Sequence, residues 1–222
     1  MAVTPLEQLQ TDIINCRCCP RLVAWREGVA RTKRAAFRDE DYWGRPVPGF
    51  GDPRARVLVI GLAPAAHGGN RTGRVFTGDR SGDFLFGALH RAGYANRPTS
   101  RHRGDGLRLR DCYISAAVRC APPANKPTPA ERATCLRYLE REWRLLADVR
   151  VVVVLGAFAH QAVCGMVGLR PRPAFTHLAE AALPDGRTLL CSYHPSQQNT
   201  FTGVLTEDAF DAVFRRARQL GA

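Results

Sequence analysis

Long apolar runs are missing from this chain. The longest continuous stretch is 151–155, whereas a membrane-spanning helix needs about 20 such residues. The first residues, Met-Ala-Val-Thr-Pro, lack a basic stretch followed by an apolar one. No secretory leader is expected there, and the location expected is cytosolic. No Gly-x-Gly-x-x-Gly and no P-loop pattern occurs, so a nucleotide cofactor is not indicated. Lysine is nearly absent: Lys33 and Lys126 are the only two among 32 basic side chains. Acidic side chains are also short in number, 20 against those 32.

What remains is an arginine-rich chain with a formal net charge of +12. The excess is concentrated. Residues 17–38 carry seven basic groups against Glu27, and residues 91–110 carry six arginines against Asp105. Clustered arginine favours a polyanion, because each phosphate neutralised releases counterions; a solvated basic surface is the plainer alternative. With 222 residues and 45% apolar content, the chain reads as a single domain spanning residues 1–222. A chain of this size buries about 70% of its unfolded surface and needs no disulfides to fold. No internal repeat and no linker is visible.

Hydrophobic periodicity alternates between two patterns. Short, almost wholly apolar runs at 56–61, 111–118, 151–155 and 189–193 read as strands buried on both faces. Helical spacing appears at 6–15, 20–34, 82–92, 127–147, 158–167 and 203–220. The order implies an α/β fold with a central four-stranded parallel sheet flanked by helices. Ligands of such sheets sit outside the carboxyl ends of the strands, so the segments that follow the strands are where function is expected.

Eight cysteines are present. Cys112, Cys164 and Cys191 fall within expected strands or a helix and read as small core residues. Cys16-x2-Cys19 and Cys120-x14-Cys135 form two separated pairs, with Cys18 an additional thiol in the first. Four thiolates from two segments can close around one centre, and the spacing fits zinc and an iron–sulfur cluster equally.

The loop after the first strand runs Gly61-Leu-Ala-Pro-Ala-Ala-His-Gly-Gly-Asn-Arg-Thr-Gly-Arg-Val-Phe-Thr-Gly-Asp79. Its glycines allow close backbone approach to a ligand. Phe76 suits either a stack on a planar base or a core position. Asp79 suits either a site carboxylate or a helix cap. The loop Arg119-Cys-Ala-Pro-Pro-Ala-Asn-Lys-Pro127 is stiffened by proline, and its Asn125 offers a donor and an acceptor to a base edge, or serves a turn. His194 heads the loop His194-Pro-Ser-Gln-Gln-Asn-Thr-Phe-Thr-Gly203 at a strand tip, where a single donor can act on a ligand oxygen.

Together these three loops resemble the uracil-DNA glycosylase superfamily, specifically its family 5, the type-B enzymes. The resemblance implies the four-stranded parallel sheet and a structural [4Fe-4S] cluster on Cys16, Cys19, Cys120 and Cys135 that ties down the N-terminal helical segment. It implies hydrolysis of the N-glycosidic bond of uracil, and of other deaminated or damaged bases such as hypoxanthine and ethenocytosine, in double- or single-stranded DNA. Asp79, Asn125 and His194 are expected as catalytic residues, and Gly61, Ala63, Phe76, Asn125 and His194 as residues that hold the base. A monomer without membrane attachment is expected.

Three positions depart from the superfamily pattern. Leu62 and Ala63 stand where other members place a carboxylate or amide beside the attacking water. Ser115 stands at the position assigned to a uracil-reading asparagine. Gln198 stands where the best-known members carry a wedge leucine. The mechanism expected is base flipping with oxyanion stabilisation by His194, and with Asp79 stabilising the sugar or orienting water. With only Lys126 near these motifs, a Schiff-base lyase step is not expected. Two other readings compete: a non-catalytic iron–sulfur or zinc protein that binds damaged nucleic acid, and an electron-transfer protein using the four cysteines.

Overall fold

The computed structural model describes residues 3–222. In chain order the helices are α1 (Pro5–Ile14), α2 (Pro20–Thr32), α3 (Gly69–Thr72), α4 (Arg80–Arg91), α5 (Pro129–Leu145), α6 (Ala157–Met166), α7 (Gln197–Phe201) and α8 (Glu207–Gly221). The strands are β1 (Phe50–Gly51), β2 (Val57–Gly61), β3 (Cys112–Ala116), β4 (Val151–Leu155), β5 (Glu180–Ala182) and β6 (Thr188–Ser192). Local chemistry sets many of the boundaries. Thr4 and Thr128 open α1 and α5 with full capping boxes to Glu7 and Glu131, each followed by proline in the first turn. Thr206 caps α8, so the expected 203–220 helix starts four residues later, at Glu207.

One mixed sheet runs in the order β1-β3-β2-β4-β6-β5. Its middle four strands, β3, β2, β4 and β6, are mutually parallel, as the apolar runs predict. The expectation of a four-stranded, wholly parallel sheet needs correction: β1 and β5 add antiparallel edges, making six strands. Two and three residues respectively are too few to show a period in sequence, and Gly51 and the Glu180-Ala-Ala run carry little strand propensity. Docking onto the sheet, not local preference, makes them strands.

Apolar side chains cover both faces. Val57, Val59, Ile114 and Val153 face α4 and α8 through Leu85, Leu89, Phe210 and Phe214. Leu58, Ile60, Val152 and Val154 face α5 and α6 through Leu139, Trp143, Ala159 and Val163. A third cluster joins α1, α2 and α5 around Leu9, Ile13, Leu22 and Tyr138, together with Cys120 and Cys135. Among the described residues no helix is long and apolar enough to cross a membrane.

Ser115 lies inside this framework, not at its ligand edge. It is buried and donates to Glu142 Oε2 (2.6 Å), the carboxylate that also pairs with Arg119. It therefore has no route to a base.

Candidate active site

The chain leaves β2 toward β3 on one side and, through α5, reaches β4 on the other, which puts a topological switch at the carboxyl end of β2. A cavity of about 530 Å³ opens there, lined by Leu62, Ala63, Phe76, Asp79, Asn125 and His194 among others. That volume lies within the usual range for ligand pockets, about 300–1,000 Å³. The three loops expected to converge do so, each following a different parallel strand.

Phe76 and His194 form one wall, with ring centroids 5.9 Å apart and planes at 34°. Phe76 adopts φ +52°, a conformation that costs a non-glycine residue energy and that packing must hold. Gly61 lies directly beneath it: a Cβ there would come 2.7 Å from the Phe76 ring. Gly61 thus seats the aromatic ring and is not itself a lining residue. The backbone of His194 is held by Asn199 Nδ2 (2.9 Å) and the Ser196 N–H (2.8 Å), both donating to its carbonyl. Burial pushes its imidazole down to about 4, so the ring is neutral near pH 7 and presents one N–H and one lone pair.

Asp79 serves two purposes at once. As the N-cap of α4 it accepts from the Gly82 N–H through Oδ1 (2.9 Å). Its other oxygen lies over Gly68, and the side chain lines the cavity. Burial raises its pKa above the ordinary carboxylate value, against the opposing pull of the Gly82 amide. Asn125 is exposed at the rim, on the turn Pro123–Asn125, with φ +56°. Ala63 both lines the cavity and packs against the cysteine-bearing cluster.

A wider groove of about 1050 Å³ continues from the cavity, sharing Ala65, Asp79, Arg80, Asn125 and Gln197 with it. Arg34, Arg71, Arg80 and Arg101 line the groove, drawn from both basic segments and from the first motif. Of these, Arg71 is itself engaged, pairing with Glu40 and donating to the His67 and Gly78 carbonyls (2.7 and 2.8 Å), and two arginines of the first basic segment are committed elsewhere. Arg17 pairs with Glu27 (2.5 Å) and Arg21 with Glu131 (2.6 Å). Asp105 fastens the 91–110 loop by taking Arg74 Nη2 (2.6 Å) and the Arg101 and Leu107 amides (2.8 and 3.0 Å). His67, bonded to Tyr42 Oη (3.0 Å), and Arg80, whose guanidinium sits 5.1 Å over the exposed Phe201 ring, line the site but were not singled out from the sequence. Their place within the first motif and directly after it was the only signal. Gln198 lines the cavity from α7.

The four paired cysteines also converge. Cys16, Cys19, Cys120 and Cys135 line one narrow void, with Cys18 beside them and Leu22, Val23, Pro46 and Tyr138 among its walls. Among the described residues no three His, Cys, Asp or Glu side chains close tightly enough to hold a single metal ion. Cys112, Cys164 and Cys191 are buried, as expected of core residues. The donor set around the void, four sulfurs in an apolar surround with the Arg119 N–H donating to Cys135 Sγ (3.3 Å), suits an iron–sulfur cluster.

A family model described as the uracil DNA glycosylase superfamily matches residues 48–218. The chain is 58% identical over 215 residues to a type-5 uracil-DNA glycosylase of Thermus thermophilus, covering 96% of this chain and 97% of that protein. It is 55% identical over 218 residues to the type-5 protein of Mycobacterium leprae, covering 97% and 95%. A type-4 uracil-DNA glycosylase of Archaeoglobus fulgidus is 32% identical over 165 residues, covering 74% and 66%.

Proposed function

From the premise that the chain belongs to the uracil-DNA glycosylase superfamily, we propose that it is a monofunctional DNA N-glycosylase of base excision repair that removes uracil from DNA at the cavity below β2. The observation that carries this reading is the pairing of a neutral His194 beside Phe76 with a carboxylate, Asp79, in one base-accommodating cavity.

The target nucleotide leaves the stack, since the glycosidic carbon is inaccessible in a duplex. Arginines of the groove hold its phosphates, and the base enters alongside Phe76. Asn125 meets it at the rim. The bond between base nitrogen and C1′ then breaks, its electron pair departing with the base. His194 donates its N–H to the base oxygen where negative charge develops. Such a donor is worth about 3–4 kcal/mol when preorganised. A neutral imidazole suits this role, because it donates without having to lose a charge. Asp79 faces the cationic sugar and orients the water whose oxygen bonds to C1′. Leu62 and Ala63 offer no polar group to that water; Asp79 supplies one from the same cavity.

The room beside Phe76, and the burial of Ser115 in the Glu142 pair away from the cavity, support acceptance of hypoxanthine and ethenocytosine as well. Cys16, Cys19, Cys120 and Cys135 are the residues that would hold a [4Fe-4S] cluster. When bound it would supply a structural cross-link between the start of α2 and the loop after β3. The test is direct: the chain is incubated with uracil-containing duplex and with single strands, then treated with hot alkali. Strand scission at the uracil, with free base released, is expected; binding without free base would overturn the reading.

A further inference from the structure

Two arginines lie inside the molecule beside the cysteines. The side chains of Arg26 and Arg119 are each 1% exposed, and a guanidinium keeps its charge in a protein. Arg119 borders the void that the cysteines line. One of its terminal nitrogens pairs with the buried Glu142, while Nε and Nη1 have no partner. Arg26 reaches the Cys16 carbonyl through Nη2 (3.4 Å) and the Gly44 carbonyl through Nη1 (3.4 Å), and its Nε has no partner. Its nearest carboxylate, Glu27 at 3.6 Å, is partly exposed and is held more closely by Arg17 at 2.5 Å.

Buried polar groups are almost always satisfied, and a buried charge without a counter-charge is costly. Among the described residues, six buried side-chain atoms lack a partner, and three of them belong to these two arginines. All three are donors on cations, so the missing partner is an acceptor and is best an anion. Glu142 already balances Arg119, which leaves Arg119 with spare donors and Arg26 with spare charge. A set of four thiolates around a core or ion carrying two positive charges retains two negative ones.

We propose that Arg26 and Arg119 are the counter-cation and the hydrogen-bond donor of an anionic centre built on the thiolates of Cys16, Cys19, Cys120 and Cys135. Arg26 contributes net charge. Arg119 contributes side-chain donors and its backbone N–H to Cys135 Sγ (3.3 Å). Arg137, at the rim, extends the same field with Nη2 3.0 Å from Cys18 Sγ and 3.8 Å from Cys16 Sγ. The arginines hold the centre in place and, if it is redox-active, make its reduction easier. This inference rests on reading the four cysteines as a thiolate centre.

The experiment compares the wild-type chain with Arg26→Met and Arg26→Lys, all purified without oxygen. Iron, sulfide and zinc content, the rate at which a chelator strips the centre, and, with iron present, the reduction potential by electron paramagnetic resonance are measured. Arg26→Met is expected to lose its centre at least tenfold faster. Its oxidised-to-reduced ratio at fixed potential should rise tenfold, a shift of about 59 mV to more negative values for one electron. Arg26→Lys keeps the charge and should stay within about threefold of wild type on both readouts. Equal stripping rates and potentials in folded wild-type and Arg26→Met chains would overturn the proposal, because a merely structural arginine moves neither. If Arg26→Met does not fold, a tenfold change in Arg26→Lys overturns it and unchanged values support it. A wild-type chain that holds neither iron nor zinc after reconstitution removes the thiolate centre itself, and the inference with it.

Discussion

A Cβ placed on Gly68 would lie 1.9 Å from Oδ2 of Asp79. The glycine early in the first motif and the carboxylate at its end, eleven positions apart in sequence, therefore occupy one fitted space, and the carboxylate keeps its place only while residue 68 lacks a side chain.

Gly68→Ala is accordingly expected to displace the Asp79 carboxylate from the cavity. Single-turnover excision of uracil should fall at least tenfold. A rate equal to wild type would show that the position of this carboxylate does not matter to the chemistry.

His194→Ala should lower single-turnover excision by about 10²–10³, the usual cost of removing one oxyanion donor. Binding to an abasic product should change little, since the departed base was the partner of the ring. Loss of product binding in step with excision would instead assign His194 to holding DNA.

Asp79→Asn and Asp79→Ala separate the two tasks of that side chain. Asparagine is as good an N-cap as aspartate, whereas alanine costs about 1 kcal/mol there. Both variants should excise slowly, but only Asp79→Ala should also melt at a lower temperature. Wild-type excision by Asp79→Asn would leave the residue a cap alone.

Acid stability should carry the mark of His194. Unfolded, an imidazole titrates near about 6.5; in the folded chain burial holds it at about 4. Between those values the unfolded chain binds the extra proton, so this residue's contribution is complete above about pH 6.5 and is lost as pH falls toward about 4. Thermal melting of the wild type should drop over that window by more than melting of His194→Ala. Parallel curves would mean the ring is not held neutral.

Arg101 lines the groove, and only its backbone is engaged by Asp105 (2.8 Å). Arg101→Ala should weaken binding to all DNA sequences alike and reduce the slope of log K against log salt by about 0.7–0.9. An unchanged slope would place the DNA backbone elsewhere.

The amino-acid sequence by itself determined the four central strands, because runs such as 57–61 and 151–155 are apolar at nearly every position and suit only a doubly covered sheet. It also determined where α1 and α5 begin, through capping boxes that act within four residues, and which three loops meet, since each follows a parallel strand. Tertiary structure decided the rest. The edge strands β1 and β5 exist only by pairing with a sheet built from distant residues. Ser115 is turned into the Glu142 pair by the register of β3 against α5, which no motif encodes. Asp79 becomes both cap and cavity wall only when Gly68 folds over it. Arg26 and Arg119 look in sequence like any of their many neighbours, yet chain closure buries these two beside the cysteines while Arg101 stays at the groove. Local chemistry is written in neighbouring residues, but burial and charge balance depend on groups a hundred positions away, and only the folded chain brings those together.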